Sequence, residues 1–172
     1  MALKGVQLGL RVWQFLWTLL VMALIGNMIA SAFSGTPASV NYAMFTSAFS
    51  MFTLFYLVPA SFNLDWAIHP IIMIIVDLLN CIFFFCAAIV LAARLEVHSC
   101  SNQNYLMHNE VVNGSHHRER SCREAQASTA FLWFGWAGYM ASVIVSIFMA
   151  RSSGLPSGGA RRVVGRPSMA QV

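Results

Sequence analysis

The stretch Ile68–Ala93 reads IHPIIMIIVDLLNCIFFFCAAIVLAA, an apolar run interrupted by one carboxylate, Asp77. At ~1.5 Å per residue it is long enough to cross a ~30 Å hydrocarbon core as a helix, which needs ~20 residues. Its apolar residues are continuous rather than alternating, which disfavours a strand. A helix also satisfies its own backbone polar groups where water is absent. Pro70 suits a first helical turn, because its missing N–H costs little there.

Three further runs share this character, at about Val12–Phe33, Tyr42–Phe62 and Ala127–Ala150. The whole 172-residue chain is 58% hydrophobic and only 9% charged. Ordinary soluble domains are roughly 45–50% apolar and about 25% charged. The composition therefore excludes a soluble enzyme and, despite a net charge of +4, a free nucleic-acid binder. The fold class is all-α: a bundle of four transmembrane helices over residues 1–150, with a long loop at 94–126 and a tail at 151–172. The short connection Asn63–Ala67 makes the second and third helices antiparallel neighbours. Lys4, the first apolar run and Ala30-Ser31-Ala32 imitate a cleavable signal peptide. That run exceeds a usual signal core, and Arg11, Trp13 and Trp17 at its start suit interfacial anchors of a retained span.

Orientation follows from basic residues near the helix ends. Lys4 and Arg11 precede the first span, while Arg151, Arg161, Arg162 and Arg166 follow the last without an acidic residue. The bias places both termini in the cytoplasm and the long loop outside. The tail is rich in Gly, Ser, Pro and Arg and reads as disordered. Its arginines either rest on anionic lipid or act only as a topology signal. In the loop, Asn113-Gly114-Ser115 is an N-glycosylation sequon, usable only on the luminal side. Cys100 and Cys122 stand near the two ends of the loop. They are read as a disulfide worth ~3 kcal/mol on a loop-entropy model, with free thiols as the alternative.

Asp77 is the sharpest candidate. Placed near the bilayer middle, a charge costs at least ~2.5–3.5 kcal/mol on insertion scales. Asn80 follows at i+3, and the two form a candidate polar clasp or lipid-sensing pair. The clasp would reach Asn27 or a hydroxyl on another helix, since no Lys or Arg falls in the middle of a span. Gly138, Ser142 and Ser146 form a small-residue row, as do Ala43 with Ser47 and Gly26 with Ala30. Such rows let helices pack closely, and self-association into a homo-oligomer is their alternative use. The chain carries no P-loop, G-x-S-x-G or H-E-x-x-H motif. The spacings of its loop histidines match no common zinc pattern. It is read as a non-enzyme without cofactor or metal.

Several separated signatures resemble one family along nearly the full length. They are Val40-Asn41-Tyr42 and Met44-Phe45, Asp77-Leu78-Leu79-Asn80, His98-Ser99-Cys100 with Asn102, Cys122-Arg123-Glu124-Ala125-Gln126-Ala127, Ala130-Phe131-Leu132 and the final Ala170-Gln171-Val172. In this order they resemble the fungal non-classical export protein family, tetraspans with a MARVEL domain. The resemblance implies a plasma-membrane protein associated with eisosomes, responsive to sphingolipid state and coupled to cytoplasmic coat proteins. It also implies roles in membrane apposition, vesicle trafficking or export without a signal sequence. The family's loop cysteines correspond to Cys100 and Cys122, and its intramembrane acid–amide pair to Asp77 and Asn80. A proton-coupled transporter using Asp77 is the weakest alternative, because no inverted repeat is evident.

Overall fold

A computed structural model describes residues 2–62, 70–96 and 98–152. It contains α1 (Ala2–Ala30), α2 (Ala38–Phe62), α3 (Pro70–Leu95), the short α4 (Gln103–His108) and α5 (Arg118–Ser152). Four of these helices are long and apolar enough to cross a membrane. No strand forms among the described residues; one isolated bridge joins Ala32 to Ser115.

The four long helices make a ring in the order α1, α2, α3, α5. The α3–α5 interface is the widest and the α2–α3 seam the narrowest. Burial follows helical spacing. On α1 the inward residues are Gln7, Arg11, Gln14, Thr18, Val21, Ile25 and Met28, separated alternately by four and three positions. On α5 they include Ser121, Ala125, Ser128, Leu132, Tyr139 and Ser142 in the same rhythm. This 3–4 alternation is the spacing that keeps one stripe against neighbouring helices. The outer surface carries exposed Phe45, Phe52 and Phe55 on α2, and Ile75, Ile82 and Ile89 on α3. Exposed apolar side chains of this kind suit hydrocarbon contact.

Two helix starts differ from the hydropathy reading. α1 begins at Ala2, not near Val12, and α5 at Arg118, not near Ala127. Hydropathy marks where a helix enters lipid, whereas hydrogen bonding carries it further. The start of α5 is supported by Glu119 in its first turn, where the helix dipole favours an acid. Glu119–Arg123 and Glu124–Arg120 add i,i+4 pairs at 2.5 and 2.9 Å. The loop is correspondingly shorter than expected.

That loop closes over one end of the ring. Cys100 and Cys122 are bonded, with Cα atoms 5.7 Å apart. Asn102 caps α4 by accepting from the N–H groups of Asn104 and Tyr105. The Tyr105 hydroxyl donates to the carbonyl of Leu95 at the end of α3. Phe33 N–H donates to the Gly114 carbonyl at 2.9 Å, tying the long loop to the first one. Gly114 packs closely there: a Cβ would stand 2.7 Å from Ser34 Oγ and 3.3 Å from the Gly35 carbonyl oxygen, so the Ser34 hydroxyl would have to turn away.

Candidate functional site in the bundle core

The polar half of the α1 stripe defines the site. Arg11 and Asp77 are both fully buried, and the guanidinium holds both carboxylate oxygens, at 2.5 Å to Oδ1 and 2.8 Å to Oδ2. Paired N–H donors facing two carboxylate oxygens form the strong, directional mode of arginine recognition. Ser142 of α5 donates to Asp77 Oδ2 at 2.9 Å. The same guanidinium donates to Gln14 Oε1 at 2.9 Å and to Ser61 Oγ of α2 at 3.3 Å. Arg11 therefore touches polar groups on α2 and α3 as well as its own helix, and Asp77 extends the connection to α5.

Hydrogen bonds continue on both sides of the pair. Gln7 donates to Ser142 Oγ at 2.9 Å and Ser146 Oγ at 3.3 Å. Gln14 donates to the Gly138 carbonyl at 3.2 Å. One turn further along α1, Thr18 and Ser50 share a bond of 3.1 Å, and Ser50 is bonded in turn to the Tyr139 hydroxyl. The row Gly138, Ser142 and Ser146 thus packs internally against α1. A Cβ on Gly138 would lie 2.6 Å from the Trp13 ring. Ala43 and Ser47 are also fully buried, whereas no atom lies within 4 Å of a Cβ built on Gly26.

Three expectations need correction. The partner of Asp77 is Arg11, read from sequence as an interfacial anchor; the inward 4–3 spacing of Gln7, Arg11, Gln14 and Thr18 was the overlooked signal. Asn27 is not part of this clasp: it donates to Glu124 at 2.7 Å at the loop end of the bundle. Asp77 does not sit at mid-span either. It lies seven residues into α3, about 10 Å from the helix start. That depth is on the side of the ring where α1 begins and α5 ends.

Asn80 neighbours Asp77 but serves another seam. Its amide donates to Thr53 Oγ1 of α2 at 3.0 Å and to the Val76 carbonyl at 2.9 Å. The sequon's Asn113 is exposed on a turn, while Ser115 is buried and bonded to Ser121 at 2.7 Å. Arg151 occupies the last turn of α5, where a cation complements the helix dipole. Arg161, Arg162 and Arg166 lie outside the described residues.

Chemically, this arrangement holds helices together. Each oxygen of Asp77 has a donor, and the buried charges neutralise one another. Phe85, Trp133 and Trp136 form a separate aromatic cluster between α3 and α5, with centroids 5.6–5.8 Å apart.

Comparison with known proteins agrees with this architecture. Residues 2–145 match the MARVEL family, described as a membrane-associating domain. The chain is 36% identical to Non-classical export protein 2 of Saccharomyces cerevisiae, over 95% of each chain. It is 39% identical to Non-classical export protein 102 of Candida albicans, again over 95% of each. A Non-classical export protein 2 homolog of Schizosaccharomyces pombe is 31% identical, over 83% of this chain and 76% of that one. No solved structure matches the chain. With a family match over most of its length and relatives aligned nearly end to end, this chain belongs to the MARVEL family, among the fungal non-classical export proteins.

Proposed function

We propose that this protein is a nonenzymatic plasma-membrane tetraspan that organises eisosome-type domains and responds to sphingolipid state. In this reading both termini are cytoplasmic and the basic tail couples to coat proteins beneath the membrane. The observation that carries it is the division of labour in the ring. Arg11 and Asp77 are committed to each other inside the bundle, while aromatic and branched side chains such as Phe52 and Phe55 face outward. The outer face is then the part of the molecule that meets lipid, and lipid composition acts through packing against it. The test is live imaging of an internally tagged copy in a fungal host, before and after sphingolipid synthesis is blocked. Immobile surface patches that disperse on depletion are expected. Patches indifferent to depletion would remove the lipid response.

A second reading, a vesicle-trafficking or non-classical export factor, is favoured by the names of the relatives. Mobile internal puncta in the same experiment would select it.

A further inference from the structure

We propose that the cleft beside the start of α5 binds an anionic phosphate ester. The cleft has a volume of about 730 Å³ and lies between Phe33, just past α1, and the first two turns of α5. Arg118, Arg120 and Arg123 line it together with the carboxylate of Glu119. His116 forms part of the wall and packs on Phe33, with ring centroids 4.9 Å apart.

The guanidinium groups retain donors for a ligand. Arg118 spends its Nε on the neutral carbonyl of Asn113 at 3.1 Å, and no ion pair engages it among the described residues. Arg120 uses Nε on Glu124, and Arg123 uses one terminal nitrogen on Glu119. Each guanidinium has five N–H donors in a planar fork. Both arginines of these pairs are 68% exposed. The Arg123–Glu119 pair is exposed on both sides, and such i,i+4 pairs are weak and readily exchanged for a ligand with higher charge, whereas Glu124 is only 11% exposed, so Arg120 keeps that partner and offers its remaining N–H groups. A phosphate ester matches such a site, because its oxygens accept paired guanidinium donors.

The depth of the cleft points to the membrane surface. Glu124 is level with Asn27 of α1, and His116 N–H donates to the Ser31 carbonyl just beyond that helix, at 3.3 Å. The arginines therefore stand at the rim of the spans, at the height of lipid headgroups. Phe33, 56% exposed, offers an apolar edge beside them. The ligand is a phosphate mono- or diester of net negative charge, without the choline cation that balances phosphatidylcholine and is repelled by the arginines, and it is carried either by a lipid in that leaflet or by a soluble molecule. The anion site stands independently of the organiser reading; only its lipid source would deepen that reading.

The test uses the full chain, purified with its disulfide intact in neutral detergent. Phosphatidylinositol and phosphatidylcholine are offered in equal amounts, and retained lipid is counted by native mass spectrometry. Inorganic phosphate is titrated separately by calorimetry. Wild type is expected to retain phosphatidylinositol at least tenfold over phosphatidylcholine, with the preference lost in Arg118→Gln/Arg120→Gln/Arg123→Gln. Phosphate binding that the triple variant loses, without a lipid preference, supports the same site with a soluble source. Absence of both ligands in wild type, or unchanged binding in a folded triple variant, overturns the proposal. Should the triple variant unfold, Arg118→Gln alone decides: severalfold weaker binding supports the site, and unchanged binding overturns it. Failure of the sphingolipid imaging experiment would leave these outcomes distinguishable, since binding is measured on the purified chain.

Discussion

Arg11 on α1 grips both carboxylate oxygens of Asp77 on α3, and neither side chain is exposed. A pair of this kind is far more costly to halve than to remove. Loss of one partner leaves a buried charge without compensation, at ~3–5 kcal/mol, whereas an apolar pair of similar volume can be neutral. Asp77→Leu and Arg11→Leu are each expected to lower thermal stability in detergent by roughly that amount. The Arg11→Leu/Asp77→Leu double variant should recover most of the loss. Additive losses in the double-mutant cycle would show that the two side chains are not coupled.

Phe84 and Gly135 make a second fitted contact. A Cβ at residue 135 would stand 2.4 Å from Phe84 Cε1, and Phe84 is fully buried, so its ring has little room to withdraw. Gly135→Ala is expected to cost ~1–3 kcal/mol by overpacking. Phe84→Leu in the same chain should return part of that loss by freeing the space. Denaturation midpoints of wild type and the two variants check this, and a harmless Gly135→Ala would mean that the α3–α5 interface adapts.

The spans were legible because each long apolar run is nearly uninterrupted, and lipid permits few backbone solutions besides a helix. Asp77 stood out for the same reason, as did the Gly138–Ser142–Ser146 row. Arg11 was misread because hydropathy places the start of the first span at Val12, while the helix and its inward stripe begin earlier. Its spacing with Gln7, Gln14 and Thr18 carried the information, but a basic residue near a span's end is ordinarily an anchor. The fold of the loop was less legible. It depends on single contacts such as Gly114 against Ser34 and Asn109 against the Arg94 carbonyl, which leave no periodic trace.

The Cys100–Cys122 bond pins α5 to the chain segment that leaves α3. The Cys100→Ser/Cys122→Ser variant is expected to lose ~3 kcal/mol on the loop-entropy model. Wild type in reductant should approach the same melting temperature, while the variant should not respond to reductant. A variant as stable as wild type would mean that loop packing alone holds this end.

Tyr105 joins the loop to the end of α3, and its pKa is raised above the ordinary 10.0, first by burial and then by the nearby charge of Glu96. The folded state therefore holds this proton more tightly than the unfolded chain does. Its stabilising effect is complete below pH 10.0 and falls as pH rises through the elevated folded value. The protection factors of residues 98–108, which discount the base-catalysed rise of intrinsic exchange, should fall in that alkaline window. Tyr105→Phe should remove the pH-dependent step; a step of equal size in the variant would assign it to another group.

The arginines after α5 separate two uses of positive charge. As a lipid contact, each contributes ~1 kcal/mol when close to an anionic surface, and salt weakens the effect. As a topology signal, they act once, during insertion. Arg161→Gln/Arg162→Gln/Arg166→Gln is expected to insert with unchanged orientation, judged by protease accessibility of a terminal tag. Binding of the corresponding tail peptide, residues 151–172, to vesicles containing phosphatidylserine should fall by at least tenfold, and its salt dependence should flatten. Inverted or failed insertion of the full-length variant would instead make these residues determinants of topology.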